Sequence, residues 1–166
     1  QMLADFGMSF DLCIVHPQLA STIRLVEQCP EVFFILDHIG KPNIKGQGWE
    51  PWATELQTLA GFSNVACKIS GLITEADHEK WTREDLKPYL DHVIACFGFD
   101  RVIYGGDWPV VTLAGEYQAW VGALDWALEG YAAADRRKLF HNNALGVYRM
   151  RRKGREIKHP TPALPW

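Results

Sequence analysis

The sequence predicts an α/β protein built on a parallel sheet. Four short apolar runs, rich in β-branched and aromatic residues, alternate with longer segments whose apolar residues recur at helical spacing. Glycine-rich polar segments directly follow two of these runs, as they do at the carboxyl ends of buried parallel strands. Strands and helices that alternate at this spacing are typical of βαβ units rather than of a sandwich or a helical bundle.

Each strand and helix is predicted from its own pattern. The four strands are predicted at residues 10–15, 32–36, 65–70 and 102–105. Helices are predicted from Pro17 to Cys29, across residues 49–59, 87–97 and 116–128, and in a closing helical pair. Pro88 is placed in the first turn of the third helix, where a missing N–H group costs least. The chain therefore contains four strand–helix units.

Four such units fit either a small open sheet or half of a barrel. Neither a GxGxxG nor a GxxxxGK[ST] motif follows any strand, so the sequence gives no support for a nucleotide-binding open sheet. A TIM-type (β/α)8 barrel takes roughly 250 residues, so four units make half of one. We therefore predict a half-barrel over residues 1–150, with residues 1–7 as the end of a preceding helix. We predict that residues 151–166 are a separate basic, proline-containing tail.

Composition excludes several classes of function. The chain is 48% hydrophobic and 22% charged, as in soluble globular proteins, and no apolar run approaches the roughly 20 residues that cross a bilayer. No secretory signal is visible, and the four widely spaced cysteines predict buried free thiols and a cytoplasmic location. Residues 149–158 hold six basic residues against one glutamate, but no interleaved aromatic residues. They predict a solvated tail rather than nucleic-acid binding.

Two polar residues stand at strand ends, where catalytic groups of α/β barrels lie. His38 follows the second strand and Asp107 follows the fourth, so both can converge on one pocket. His38 could ligate a metal or hydrogen-bond a carbonyl, and Asp107 could bind a metal, activate water or cap a loop. The same rim supplies residues predicted to bind substrate, although packing or capping roles compete for each: Lys41, Lys68, Ser70, Trp108 and His16.

At these residues the sequence resembles the carboxyl-terminal half of the amidohydrolase superfamily. The likeness is to its lactonase-like branch, which includes sugar-acid lactonases and a pyrone-dicarboxylate lactonase. It covers about residues 9–150 and rests on several motifs in order: Leu36-Asp37-His38-Ile39-Gly40-Lys41-Pro42, Cys67-Lys68-Ile69-Ser70-Gly71-Leu72, Tyr104-Gly105-Gly106-Asp107-Trp108-Pro109, and Asn143-Ala144 with Tyr148-Arg149.

The resemblance implies a hydrolase that opens a sugar-acid lactone. In that reading Asp107 is the general base that activates water, and His38 polarises the carbonyl or, with Asp107, holds a divalent metal. Zinc is the expected metal, with a metal-free site as the alternative. The superfamily's HxH pair is missing from the chain, because no two of its six histidines have that spacing. We therefore expect the chain by itself to be inactive.

Two other functions compete with lactone opening. The same scaffold could decarboxylate or hydrate an aromatic-derived acid, as other branches of the superfamily do. A non-catalytic half-barrel could instead act as a scaffold, and its open sheet edges predict self-association, hence a homo-oligomer. The expected partner is a small lactone or carboxylate, and neither nucleic acid nor a membrane is expected.

Overall fold

A computed structural model describes residues 2–150, so the predicted tail at 151–166 lies outside the described residues. Four parallel strands form one sheet in the order β1-β2-β3-β4. Their bounds are Ser9–Leu12 (β1), Phe33–Leu36 (β2), Val65–Ile69 (β3) and Val102–Tyr104 (β4). Each strand lies within the predicted span or extends it by one residue. Sequential parallel pairing is the arrangement expected of consecutive βαβ units.

Helices connect the strands in the predicted alternation. Their bounds are Met2–Asp5 (α1), Leu19–Gln28 (α2), Trp52–Ala60 (α3), Leu72–Glu75 (α4), Arg83–Phe97 (α5), Tyr117–Ala127 (α6), Ala133–Arg137 (α7) and Asn143–Val147 (α8). A π-helical turn, Lys138–Asn142, joins α7 to α8, so the predicted closing pair is one interrupted helical run. Within the described residues, no helix has both the length and the apolar character required to cross a membrane.

One helix begins earlier than the sequence pattern predicts. Helix α5 starts at Arg83 rather than at residue 87, and Pro88 therefore lies inside the helix rather than in its first turn. Thr82 explains the earlier start, because its hydroxyl accepts from the Asp85 amide while the Asp85 carboxylate accepts from the Thr82 amide. This capping box satisfies two amides at the start of the helix, so the helix begins ahead of Pro88.

The two faces of the sheet are packed differently. Alternate strand residues such as Phe34, Leu36 and Cys67 join the large core formed with α2, α3, α5 and α6. The residues between them point to the opposite face, called here the inner face. Its buried cluster is small and consists of Phe33, Ile35, Ala66 and Ile103, packed against Ala144 and Val147 of α8.

The cysteines have no disulfide partners, as predicted, but their burial varies. Cys67 is fully buried within the large core, where burial raises the pKa of its thiol. Cys29 and Cys96 are partly exposed. Cys13 is exposed, so the prediction of a buried thiol is wrong at that position. The reason is that Cys13 follows the end of β1, beyond the apolar packing of the strand.

Candidate active site

Strand register brings a polar layer together at the carboxyl ends of the strands. On the inner face, Asp11 pairs in register with Ile35, and Lys68 pairs with Ile103. Side chains two residues apart share a face, so Asp37 continues above Ile35, and Ser70 continues above Lys68. The inner face therefore changes from apolar to polar towards the strand ends. We call this group the polar tier: Asp11, Cys13, Asp37, Lys68 and Ser70.

His38 and Asp107 meet at the top of this tier. Their side chains are 17% and 10% exposed, and His38 Nδ1 lies 3.7 Å from Asp107 Oδ1. The same Nδ1 lies 2.9 Å from the hydroxyl of Ser70, which is fully buried. The structure thus brings together the two residues predicted from separate strand ends, and it places Ser70 against the imidazole.

Both residues adopt a backbone conformation that non-glycine residues rarely occupy. The φ angle is 53° at His38 and 54° at Asp107, and Ile39 and Lys41 beside His38 also have positive φ. Left-handed backbone costs a non-glycine residue of the order of 1–2 kcal/mol, so it persists only where the surrounding structure holds it. Strain of this kind concentrates at active sites and ligand-binding loops.

A buried tryptophan holds each of the two strained loops. The indole N–H of Trp52 in α3 donates to the carbonyl of Ile39 at 2.8 Å. The indole N–H of Trp120 in α6 donates to the carbonyl of Gly105 at 3.0 Å. Both rings are 1% exposed. Each site loop is therefore fixed from the helix-covered side of the sheet, which leaves its other side open to a ligand.

Glycines allow the strand ends to approach one another closely. A Cβ at Gly71, where φ is +68°, would lie 2.7 Å from His38 Nδ1. A Cβ at Gly105 would lie 2.8 Å from the Cβ of Ser70. Real Cβ atoms do not approach other atoms this closely, so any larger residue at either position would displace the imidazole or its hydroxyl partner.

Lys68 is held by carboxylates rather than free to meet a substrate anion. Its ammonium lies 2.5 Å from Asp37 Oδ1 and 2.9 Å from Asp11 Oδ2. Burial by itself would lower the pKa of Lys68, but hydrogen bonds with Asp37, Tyr148 and Asp11 outweigh burial and raise the pKa above its ordinary value. Lys68 therefore stays charged throughout the physiological range and links strands β1, β2 and β3.

The imidazole of His38 is neutral at pH 7. Burial lowers its pKa, and the opposing charges of Asp107 and Asp37 only partly offset that effect. A neutral imidazole has one N–H and one lone pair, which suits metal ligation or hydrogen bonding to a carbonyl. Because Nδ1 already faces Ser70 and Asp107, Nε2 is the ring atom left for a ligand.

One oxygen of Asp107 remains available to a water molecule. Thr74 Oγ1 lies 3.5 Å from Asp107 Oδ2, but its hydroxyl is 2.8 Å from the carbonyl of Gly71. A hydroxyl has a single hydrogen, and the shorter contact takes it. Asp107 Oδ2 therefore keeps acceptor capacity, as a general base requires.

The remaining residues predicted at the site follow the ends of strands along the chain. Lys41 follows the strained loop and is close enough to His38 to lower its pKa. Trp108 follows Asp107 and is 73% exposed. His16 opens the short 3-10 turn His16–Gln18 after β1, where it is partly exposed. Their predicted contacts with substrate stay predictions.

Sequence reasoning passed over three members of the polar tier. Asp11, Cys13 and Asp37 were not predicted as site residues, although Asp11 and Cys13 alternate at the end of one strand as Lys68 and Ser70 do in another. This period of two was the available signal. A strand predicted over residues 10–15 places Asp11 and Cys13 inside the strand, whereas the strand ends at Leu12 and both residues lie at its carboxyl end.

The donor atoms present fit a divalent metal. Cys13, Asp37 and His38 each offer one ligand atom, and these atoms lie within 4.8 Å of one another. Sulfur, nitrogen and oxygen donors in this number are a usual partial ligand set for zinc.

Two clefts elsewhere on the surface are lined by other residues. One, of about 420 Å³, lies between the loops after β2 and β3 and includes Trp49, Asp77 and Trp81. The other, of about 200 Å³, lies beside β1 and α8 and includes Ser9 and Phe33. Neither is lined by His38 or Asp107.

Comparison with known proteins identifies the family. Residues 1–150 match the amidohydrolase family. This chain is an amidohydrolase family member. The L-fucono-1,5-lactonase of Burkholderia ambifaria is 35% identical to it over 156 residues, covering 91% of this chain and 53% of that protein. The amidohydrolase chain spans about half the length of the curated relatives it matches.

Solved structures support the same assignment. A zinc-bound amidohydrolase from Burkholderia multivorans superposes with a TM-score of 0.85 at 29% identity, covering 90% of this chain and 55% of that one. A 2-pyrone-4,6-dicarboxylic acid hydrolase structure from Pseudomonas putida, described as putative, has a TM-score of 0.72 at 24% identity, covers 88% of this chain and 53% of that one, and supports the fold alone. The parallel sheet and the half-length structural matches confirm the predicted α/β half-barrel, and the family match confirms the predicted superfamily.

Proposed function

We propose that this amidohydrolase chain supplies half of the active site of a hydrolase that opens sugar-acid lactones. The observation that carries the proposal is the meeting of His38 and Asp107 at 3.7 Å, each on strained backbone at a strand end. A similar protein from Burkholderia ambifaria is an L-fucono-1,5-lactonase, which favours a cyclic sugar-acid ester as the substrate class.

Asp107 acts as the general base in this proposal. It takes a proton from water as the water oxygen bonds to the lactone carbonyl carbon, and the carbonyl oxygen gains negative charge. The ring C–O bond then breaks, and Asp107 returns the proton to the departing alkoxide. The product is an open hydroxy acid, which ionises at neutral pH and releases one proton.

His38 stabilises the charge that develops on the carbonyl oxygen. Ser70 and the close backbone of Gly71 fix the plane of its ring, so the imidazole need not reorganise during the reaction. A divalent metal held at His38, with Asp107 as the second ligand predicted from sequence, would supply a Lewis acid for the same oxygen. Zinc is the metal we propose, because a similar structure binds it.

Lys41, Trp108 and His16 are proposed to contact the substrate at the rim. Lys41 offers an ammonium group for a hydroxyl or carboxylate, and the exposed indole of Trp108 offers an apolar face to a sugar ring. Lys68 and Ser70 were predicted to bind substrate too. Their observed partners, Asp37 and His38, favour action through those neighbours instead.

The test is a pH-indicator assay against a panel of aldonolactones. The protein assayed joins this chain to the amino-terminal half of the barrel and is called here the full-length protein. We expect turnover that falls 10²- to 10⁴-fold in Asp107→Asn, the range that loss of a general base produces. Asp91→Asn is the matched control, because Asp91 lies on α5 and pairs with Lys87 away from the strand ends. Its turnover should equal that of the unsubstituted protein.

Four outcomes support or overturn parts of this proposal. Proton release without carbon dioxide supports lactone opening, whereas carbon dioxide from a carboxylate substrate would assign the site to decarboxylation. Turnover that survives Asp107→Asn would overturn the assignment of the base. Full activity of residues 1–166 alone would overturn the proposal that the chain supplies only half of the site.

A further inference from the structure

Strand register explains why Cys13 lies beside the strained loop that contains His38. Leu12, the last residue of β1, pairs with Leu36, the last residue of β2. The next residues in each chain segment are Cys13 and Asp37, so they leave the sheet side by side. Both follow the inner-face alternation, in which Asp11 and Ile35 precede them by two residues.

The resulting cluster has the donors of a zinc site. Ligand atoms of Cys13, Asp37 and His38 all lie within 4.8 Å of one another. Zinc binds sulfur at about 2.3 Å and nitrogen or oxygen at about 2.0–2.2 Å, so its ligand atoms stand roughly 3–4 Å apart. The ligand atoms of the cluster therefore need to move closer together only slightly. Small side-chain rotations, which the exposed Cys13 can make freely, are enough.

The neighbours of the cluster leave the required atoms available. His38 Nδ1 faces Ser70 and Asp107, which leaves Nε2 for a cation. A metal-ligating histidine ordinarily donates its other ring N–H to an oxygen acceptor, and Ser70 Oγ at 2.9 Å offers one. Lys68 lies beside Asp37 Oδ1, but a carboxylate has about four lone-pair sites on two oxygens, so Asp37 can pair with Lys68 and still ligate a metal.

We propose that Cys13, Asp37 and His38 together bind a zinc-like divalent cation, with Cys13 as a thiolate ligand. The inference rests on the proposed function only in placing a metal at His38. In this ligand set Cys13 and Asp37 take the place of Asp107, so that Asp107 stays free to act as the base. On binding, the Cys13 thiol releases its proton to solvent and a metal–sulfur bond forms, with no change of oxidation state.

The test uses cobalt as a spectroscopic substitute for zinc. Full-length protein, freed of metal by a chelator, is titrated with Co²⁺ and its absorption is recorded. A thiolate ligand gives an intense near-ultraviolet charge-transfer band that nitrogen and oxygen ligands do not give. We expect this band at one equivalent of metal, and we expect excess Zn²⁺ to abolish it.

Matched variants identify the source of the band. Cys13→Ser should remove it and weaken metal binding at least 10-fold, whereas Cys96→Ser, at a partly exposed cysteine on α5, should leave it intact. Cys13→His should keep one bound metal while losing the band, which shows that the site itself is still folded. Asp37→Asn should weaken binding more than Asp107→Asn does.

The outcomes also distinguish this inference from the proposed function. Absence of the band, its survival in Cys13→Ser, or a stronger effect from Asp107→Asn than from Asp37→Asn would overturn the ligand set. A Cys13-dependent band in a protein that opens no lactone would support the metal site and overturn the proposed reaction. Lactone turnover without a Cys13-dependent band would support the proposed reaction and overturn the metal site.

Discussion

Replacing Trp52 by phenylalanine tests whether the helix-covered side of the sheet holds the histidine loop. The substitution removes the indole N–H that donates to the Ile39 carbonyl at 2.8 Å, in a side chain that is 1% exposed. An unsatisfied buried carbonyl costs about 1–3 kcal/mol, and the smaller ring leaves a void worth about 1 kcal/mol more. We therefore expect the free energy of unfolding to fall by about 2–4 kcal/mol.

Urea denaturation followed by far-ultraviolet circular dichroism measures this change. Trp108→Phe is the matched control, because Trp108 is 73% exposed and its loss should change the free energy of unfolding by less than about 0.5 kcal/mol. The Trp52 variant should also bind metal more weakly, since the backbone of His38 loses its neighbouring anchor. A loss of stability no larger than that of the control would refute the reasoning.

Two further predictions concern the imidazole of His38. Gly71→Ala should lower the free energy of unfolding by about 1–2 kcal/mol, because alanine is strained in left-handed backbone, and urea denaturation measures this change. The added Cβ, 2.7 Å from His38 Nδ1, should also displace the imidazole and weaken metal binding, which cobalt titration measures. Unchanged metal affinity would contradict this second effect. Burial lowers the pKa of His38 below its ordinary 6.5, so the unfolded chain takes up a proton here before the folded chain does. Stability should therefore decrease as pH falls below about 6.5, more steeply than in His38→Gln; parallel urea midpoints in the two proteins would show the prediction to be wrong.

The sequence predicted the fold well because its signals are local. Runs such as residues 32–36 and 65–70 are too short and too β-prone for helices. Their predicted bounds agree with the observed bounds of β2 and β3 to within one residue. Apolar periodicity and the position of Pro88 predict a later start for α5, because neither takes account of the Thr82–Asp85 capping box. Local capping chemistry decided a boundary that apolar periodicity could not.

The site was predicted in part, for a related reason. His38 and Asp107 could be recognised because each follows a strand end within a glycine-containing motif. Their separation, and the engagement of Lys68 by two carboxylates, depend on register between strands that are distant in sequence. Cys13 gave no isolated signal, since only its pairing position beside Asp37 makes it a candidate ligand.

The separation of the inner face into an apolar lower part and the polar tier has a consequence for how such a protein can diversify. The lower cluster, Phe33, Ile35, Ala66 and Ile103, packs against α8 and holds the sheet, whereas the charged groups of the polar tier pair chiefly with one another. A change of ligand or base at the top therefore need not alter packing below. New chemistry can therefore arise at the strand ends while the apolar packing beneath them stays the same.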